Sequence, residues 1–312
     1  MADSPKKHGS LALQVSGLTK KYGNVTAVNA ISFQVKKEEI FGFLGPNGAG
    51  KTTTVRILTG VIKADGGKAV VLGGSAGSLK AKQKAGVVPE MTNAYLDISG
   101  WDNLMLMAEI YGVPKRQAYK KAEELFKKIE LYPQKGQKVR TYSKGMKQRL
   151  ILAMSLISDP EILFLDEPTS GLDVKSARLI RGFIKELSSQ GKTVFLTTHQ
   201  MEEANQLCDR IAIIDQGNIV AIDPPEKLRA EIKEMHSVEV SFDRKVKTES
   251  LYQLPQVSTV ERVGDKFRLY TSSPGEAIVS LVNYTSRENV GIISLNTLTP
   301  SLEDAFLALT ER

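Results

Sequence analysis

Cysteine is almost missing from this chain: its 312 residues include one, Cys208. No internal disulfide is possible, which excludes a disulfide-stapled fold and fits a reducing compartment. Cys208 matches no metal-ligand spacing and reads as a small buried or half-buried side chain. Histidine is scarce too, and His8, His199 and His236 are too scattered to suggest a metal site. No segment approaches the roughly 20 consecutive apolar residues that span a bilayer as a helix. The longest candidate, Leu150–Ile157, reads as a stretch of one core helix. Met1–Ser10 is polar and basic without an apolar core, so residues 1–10 are expected to be a disordered tail rather than a secretory signal. Internal repeats and low-complexity segments are lacking.

The remainder has an ordinary globular composition, 25% charged and 41% hydrophobic, and a length suited to about two domains. The net charge of +7 is unevenly spread. Residues 115–149 hold twelve Lys or Arg against three Glu, a local excess of 12 − 3 = +9. Such a block can face nucleic acid or an anionic leaflet. Here Glu and Lys interleave at helical spacings, which favours a solvated helix face.

Leu11–Val15 and Ile31–Val35 read as strands of a small antiparallel layer, with a turn at Tyr22-Gly23-Asn24. Lys68–Leu72 and Gly86–Val88 read as further short strands, the latter ended by Pro89. From Ser99 the period changes to helical. Helices are expected from Ser99 to about Gly112, from Lys115 to Ile129 and from Gly145 to Ile157, making residues 95–157 a helical insertion. The strand–helix alternation then resumes through Ile162–Leu165, Val174–Leu187, Thr193–Leu196, Met201–Leu207 and Arg210–Ile214. A turn at Asp215–Asn218 leads into Ile219–Ile222. This alternation predicts a mostly parallel sheet covered by helices, an α/β domain over residues 11–230. A helix from about Glu226 to Met235 leads out of it. Residues 236–312 read as a small α+β domain, with strands at Ser237–Phe242, Val257–Val263, Lys266–Tyr270 and Ile292–Leu295. Helices are expected over Glu276–Thr285 and after a cap at Thr299 or Ser301.

One stretch carries the strongest chemistry. Gly45-Pro46-Asn47-Gly48-Ala49-Gly50-Lys51-Thr52-Thr53 lies between an apolar strand, Ile40–Leu44, and the start of a helix. This is the pattern of a phosphate-binding loop. Its glycines let several backbone N–H groups turn toward one anion, and the helix N-terminus adds free donors and a positive dipole end. Lys51 can reach the β- and γ-phosphates of a nucleoside triphosphate, and the Thr52 hydroxyl can sit on Mg²⁺. The second element is Asp166-Glu167 at the C-terminal end of the buried strand Ile162–Leu165. That end is where an α/β sheet presents groups to ligands. Asp166 can hold Mg²⁺, and Glu167 can polarise an attacking water or accept its proton.

Four segments together resemble an ATP-binding-cassette (ABC) ATPase in order and spacing. They are Gly45–Thr53, Tyr142–Arg149 (YSKGMKQR), Asp166–Asp173 (DEPTSGLD) and Thr198-His199. The resemblance covers about residues 11–230. The C-terminal Pro300–Phe306 (PSLEDAF) is similar to the tail of drug-exporter-type ATP-binding subunits. The resemblance implies a P-loop NTPase cassette fold, with an antiparallel β layer and a helical insertion, plus the small C-terminal α+β domain. It implies two cassettes that pair head to tail and sandwich two ATP molecules. Ser143, Lys144, Gly145 and Met146 would then form a signature segment reaching the ATP held by the other cassette. Within it, Ser143 would offer its hydroxyl and Gly145 its N–H to the γ-phosphate. His199 would contact that phosphate and help position Glu167 and the water, Asp173 would sit at the dimer seam, and Tyr22 would stack on the adenine. Two departures stand out. Lys144 and Met146 replace the usual Gly and Gln, and Glu90 replaces the usual Gln that reaches Mg²⁺ and the attacking water. Glu90 can still ligate Mg²⁺ through oxygen, but when ionised it cannot donate a hydrogen bond.

The resemblance therefore implies a Mg²⁺-dependent ATPase, the ATP-binding subunit of a membrane transporter of exporter type. The permease would be a separately encoded polytopic partner, docked near Glu90–Trp101. The chain would be cytoplasmic and held on the inner face of the cell membrane through that partner. No nucleic-acid partner is expected. The competing readings are a soluble cassette ATPase acting on a ribosome or nucleic acid, slightly favoured by the basic block, and a non-hydrolysing nucleotide sensor, to which the intact Glu167 is opposed.

Overall fold

A computed structural model describes residues 10–91, 94–230, 236–298 and 300–310. The expected tail lies outside these residues except for Ser10. So do Thr299 and residues 231–235 of the helix expected to end at Met235. The chain divides into two compact units, Met1–Pro224 and Pro225–Arg312.

In the first unit, β1 (Leu11–Tyr22) and β2 (Val25–Lys36) form a long hairpin, and β3 (Ile40–Leu44) runs into the Gly-rich loop and α1 (Lys51–Leu58). Next come β4 (Gly66–Val71), β5 (Gly74–Ser75), a short α2 (Leu79–Gln83) and β6 (Ala85–Val88). Three helices follow: α3 (Gly100–Ile110), α4 (Lys115–Lys128) and α5 (Lys144–Leu156). The chain then alternates through β7 (Ile162–Asp166), α6 (Val174–Ser189), β8 (Thr193–Thr198), α7 (Met201–Leu207), β9 (Arg210–Asp215) and β10 (Asn218–Asp223). Local sequence sets the helix starts. Ser99, Ser143 and Asp173 each accept a backbone N–H three residues ahead, from Asp102, Met146 and Ser176. Helix α4 buries Ala118, Ala122, Leu125 and Phe126, a single face at i, i+4, i+7 and i+8.

Two sheets result. One is antiparallel, in the order β2-β1-β4-β5. The other has the order β10-β9-β3-β8-β7-β6, parallel from β9 to β6 with β10 antiparallel at its edge. Register places Phe41, Phe195 and Phe164 side by side on β3, β8 and β7. The period of two along β3 adds Phe43 to the same face. Phe33 of β2 closes over them, with ring centroids 5.6 Å from Phe41, 5.5 Å from Phe43 and 5.9 Å from Phe195. This aromatic layer joins the antiparallel sheet to the parallel one. On the opposite face, Cys208 Sγ fills the space beside Gly42, 2.6 Å from where a Cβ would stand. Cys208 is therefore a packing residue. Burial pushes its thiol well above the ordinary cysteine value.

Both strands of the first hairpin are longer than the sequence suggests, because register shifts break the alternation of β1 between Val15 and Lys21. The basic block is partly engaged within the protein. Lys121 pairs with Asp159 and Lys127 with Glu123, Lys128 pairs with Glu186, and Lys135 lies over the rings of Trp101 and Tyr132. No helix among the described residues is long and apolar enough to cross a membrane.

The second unit holds α8 (Pro225–Ala230), β11 (His236–Phe242), α9 (Thr248–Tyr252), β12 (Thr259–Val263), β13 (Lys266–Thr271), α10 (Pro274–Glu288), β14 (Ile292–Leu298) and α11 (Leu302–Thr310). Its antiparallel sheet has the order β12-β13-β11-β14. Val238, Val240, Phe267, Leu269, Leu251, Ala277 and Leu281 form its core. The short α9 has no counterpart in the sequence reading, and β12 begins at Thr259 rather than Val257.

Truncating Phe195, which is 0% exposed and touches four other rings, should cost about 3–5 kcal/mol as the Phe195→Ala variant. A lowered urea midpoint with an unchanged m-value would show it. Cys208 should resist alkylation by iodoacetamide in the native protein and react once urea unfolds it.

Candidate functional site

The Gly-rich loop owes its shape to one forced position. Gly50 has φ 102°, and a Cβ there would stand 2.2 Å from the Ala27 carbonyl oxygen. Only glycine fits. Helix α1 starts at the next residue with no side-chain cap, so its first-turn N–H groups remain available. They border a cleft of about 320 Å³ lined by Ala27, Asn47, Gly48, Gly50, Lys51, Thr52, Thr53, Glu90 and Glu167. Gly45 and Pro46 do not line it but hold its lysine, since Lys51 Nζ donates to their carbonyls at 2.7 and 3.0 Å. Ala49 is buried and anchors the loop, accepting from Gly217 N at 3.1 Å.

The acidic pair stands beside this cleft because β7 and β3 flank β8 in the sheet. Asp166 is 3% exposed. Its Oδ1 accepts from the Thr197 hydroxyl at 2.5 Å and the Thr52 hydroxyl at 3.3 Å. Burial pushes the Asp166 carboxyl above its ordinary value, and the Glu167 charge acts the same way. The Thr197 and Thr52 hydroxyls pull in the opposite direction. Glu167 has a left-handed backbone, φ 52°, uncommon for a residue with a side chain. Its N–H donates to the Thr197 carbonyl at 3.1 Å. Its carboxylate is 7% exposed and bridges two groups: Lys51 Nζ lies 3.3 Å from Oε1, and His199 Nδ1 lies 2.8 Å from Oε2. The Lys51 contact falls outside hydrogen-bond geometry, so Oε1 is buried in the cleft wall without a hydrogen-bond donor.

Oxygen chemistry at this point suits a hard divalent cation. Thr52 and Asp166 place a hydroxyl and a carboxylate together, with Glu90 on the same cleft. Among the described residues no group of three or more His, Cys, Asp and Glu could cage a metal. A set of this kind fits Mg²⁺, which usually completes its shell with water and phosphate oxygens.

The remaining expected residues lie apart from the cleft lining. Ser143, Lys144, Gly145 and Met146 form the start of α5, where the Ser143 hydroxyl accepts from Met146 N at 3.2 Å. This turn packs on the start of α6. A Cβ at Gly145 would stand 2.3 Å from Ser176 Oγ and 3.4 Å from Asp173 Oδ2. Asp173, which caps α6 through Ser176, thus belongs with the YSKGM segment of its own chain. Tyr22 sits half-exposed at the end of β1, with Lys20 Nζ 5.6 Å from its ring centroid.

The structure adds residues that the sequence reading passed over. Ala27 lines the cleft, and Thr197 holds both Asp166 and the Glu167 backbone. Glu203 on α7 is 1% exposed and accepts from the Thr169 hydroxyl at 2.6 Å. Burial pushes its carboxyl above the usual range, while the Thr169 and Thr198 hydroxyls oppose the shift. For Thr197 the one sequence hint was the Thr-Thr ending of β8, polar residues closing the apolar run Val194–Leu196.

Known proteins resemble this chain in sequence and in fold. The family model described as ABC transporter matches residues 28–170. The linearmycin resistance ATP-binding protein of Bacillus subtilis is 36% identical across 96% of this chain and 98% of its own length. A Nod factor export ATP-binding protein I of Rhizobium sp. strain N33 is 38% identical across 97% of this chain and 98% of its own. Among solved structures, the ATP-binding subunit of an ABC transporter superposes with TM-score 0.66 at 24% identity, over 71% of this chain and 93% of that one, a likeness of fold. A dimeric ATP-binding cassette in a post-hydrolysis state with ADP and Pi gives TM-score 0.62 at 25% identity, over 68% of this chain and 98% of that one.

The Lys51→Ala variant removes the cation from the loop and leaves Glu167 buried without it. ATP affinity should fall by at least about 10-fold, roughly 1.4 kcal/mol, in a fluorescent-nucleotide titration. An affinity within twofold of wild type would contradict the phosphate role of this loop.

Proposed function

The chain belongs to the ABC transporter family, as an ATP-binding cassette with ATPase activity, and from that premise we propose that it powers an exporter whose membrane-spanning part is a separate polypeptide. The hydrolytic part of this reading rests on one observation. A single buried carboxylate, Glu167, is bracketed by the phosphate-loop lysine and by His199 at the wall of the nucleotide cleft. The export part is supported by relatives that match nearly the whole chain, C-terminal unit included, and carry names of export or resistance.

ATP enters the cleft with its phosphates against the N-terminus of α1 and Lys51. Tyr22 serves as the adenine platform. The triphosphate competes with Glu167 for the Lys51 ammonium and so frees the carboxylate. Glu167 takes the proton of the attacking water as the oxygen–phosphorus bond forms, and ADP carries away the cleaved oxygen. His199 orients Glu167 and contacts the γ-phosphate. Thr52 and Asp166, with Glu90 at the cleft, would hold Mg²⁺, which neutralises phosphate charge when bound.

The cleft is one half of the site. Ser143 and Gly145 start a helix whose positive end suits a phosphate, yet they do not line the cleft of their own chain. They reach an ATP held by a second cassette, with Lys144 and Met146 beside them and Asp173 at the seam. ATP binding then closes the pair and loss of the γ-phosphate opens it. Coupled to the permease near Glu90–Trp101, the chain works at the cytoplasmic face of the membrane.

Glu167→Gln should keep ATP affinity, lower kcat by about 10²–10⁴-fold and trap an ATP-dependent dimer in size-exclusion chromatography. Wild-type turnover in that variant would remove Glu167 from the role of base. Affinity capture of the full chain from detergent-solubilised membranes should recover a polytopic membrane protein. Recovery of ribosomes or nucleic acid instead would favour a soluble cassette ATPase.

A further inference from the structure

Glu203 stands out because its place and its chemistry conflict. It sits on α7 at 1% exposure, where an apolar residue would pack without the cost of an ionisable group. One carboxylate oxygen, Oε1, accepts from the Thr169 hydroxyl at 2.6 Å, and Thr169 is itself 2% exposed. The other oxygen, Oε2, is buried without a hydrogen-bond partner. Thr169 lies two residues after Glu167, and His199 lies four residues before Glu203. Glu203 is therefore tied through its carboxyl to the segment carrying Glu167, and through the chain to the segment carrying His199, the two residues of the Glu167–His199 contact.

That contact needs a brace. Glu167 holds a left-handed backbone, φ 52°, which a side-chain-bearing residue keeps only when its surroundings over-determine it. Two backbone bonds fix its near side: Glu167 N donates to the Thr197 carbonyl at 3.1 Å, and Ser170 N donates to the Glu167 carbonyl at 3.1 Å. The far side of the turn, from Thr169 onward, has the Thr169–Glu203 hydrogen bond as its tie to α7. His199 is on the segment leading into α7, and Ala204 N donates to the Gln200 carbonyl at 3.1 Å. Loss of the Glu203 bond would therefore loosen the turn that carries Glu167 from the helix that His199 leads into.

We propose that Glu203 is a positioning residue for hydrolysis: through Thr169 it locks the turn after β7 to α7, holding Glu167 and His199 in register at the nucleotide cleft. This rests on the reading of Glu167 as the base. Glu203 itself does not line the nucleotide cleft. Its effect falls on the chemical step and leaves ATP binding alone, because the phosphate-loop contacts do not pass through it. The Thr169 hydroxyl is equally required, and the two side chains act as one unit.

The test uses the full chain and steady-state ATPase kinetics with a separate nucleotide-affinity titration. Glu203→Leu and Thr169→Val should each lower kcat by about 10- to 100-fold with KM for ATP and ATP affinity within about threefold of wild type. The double variant should be no slower than the worse single one. Thr169→Ser restores the hydroxyl and should return kcat to near wild type. A purely packing role predicts a lowered Tm with the kcat of the folded protein unchanged, and additive losses in the double variant; that result overturns the proposal. If Glu203→Leu does not fold, the Thr169→Val and Thr169→Ser pair carries the same test from the other side of the bond. Glu167→Gln serves as the control. If it retains wild-type turnover, the assignment of the base is at fault. If it is dead while folded Thr169→Val turns over normally, only the brace is overturned.

Discussion

A lysine and a glutamate, each less than a tenth exposed, meet 3.3 Å apart between the phosphate loop and the end of β7. Burying either charge alone would be costly, so the fold holds the two together. Lys51 is fixed from behind by the Gly45 and Pro46 carbonyls, and Glu167 from the side by His199. The pair keeps an ammonium and a carboxylate desolvated and side by side at the cleft; on the proposed reading a triphosphate takes the ammonium for itself.

The fold can be read as the means of bringing these groups together. Lys51 and Glu167 lie 116 positions apart in the sequence, and the strand order closes that distance. Parallel β3, β8 and β7 are consecutive neighbours, so the loops leaving their C-terminal ends stand in a row. Those loops carry the phosphate loop, His199 and Asp166-Glu167. The aromatic layer of Phe33, Phe41, Phe43, Phe164 and Phe195 lies across the same three strands. Site geometry and core packing therefore share their foundation. A sub-ångström slip among these strands would disturb both at once, because close-packed interiors do not deform smoothly.

The features legible in the sequence were those written in contiguous residues. Gly45–Thr53 reads as a loop because its glycines, lysine and threonine follow one another between an apolar strand and a helix. Ile162–Leu165 reads as a buried strand because all four positions are apolar, and α4 because its apolar face recurs with helical period. Strand order was not legible, since pairings such as Phe41 with Phe195 join distant segments. The true length of β1 was hidden because bulges break its alternation. Thr197 and Glu203 were passed over for another reason. A single threonine or glutamate is an ordinary surface residue until its burial is known, and both are sealed beneath the site. The α5 start shows the reverse case. Its residues stand out in the sequence, but they lie apart from the cleft lining of their own chain, leaving a gap between the two segments.

That gap has a chemical form. The Ser143 oxygen already accepts from Met146 N, which satisfies one donor of the helix end and fixes the side-chain rotamer. The hydroxyl proton remains free to donate. Gly145 is packed so closely on Ser176 and Asp173 that a Cβ would not fit, which seats the start of α5 against the start of α6. A helix end built in this way suits an anion, and on the proposed reading the cleft lined by the phosphate loop presents one. Within a single chain the two surfaces are separate. On the proposed reading the nucleotide is the element that completes both, and the free energy of closing the pair then depends on the γ-phosphate. On that reading hydrolysis removes the phosphate from Ser143 and Gly145, so the bond cleavage that consumes ATP is also what loosens the pair.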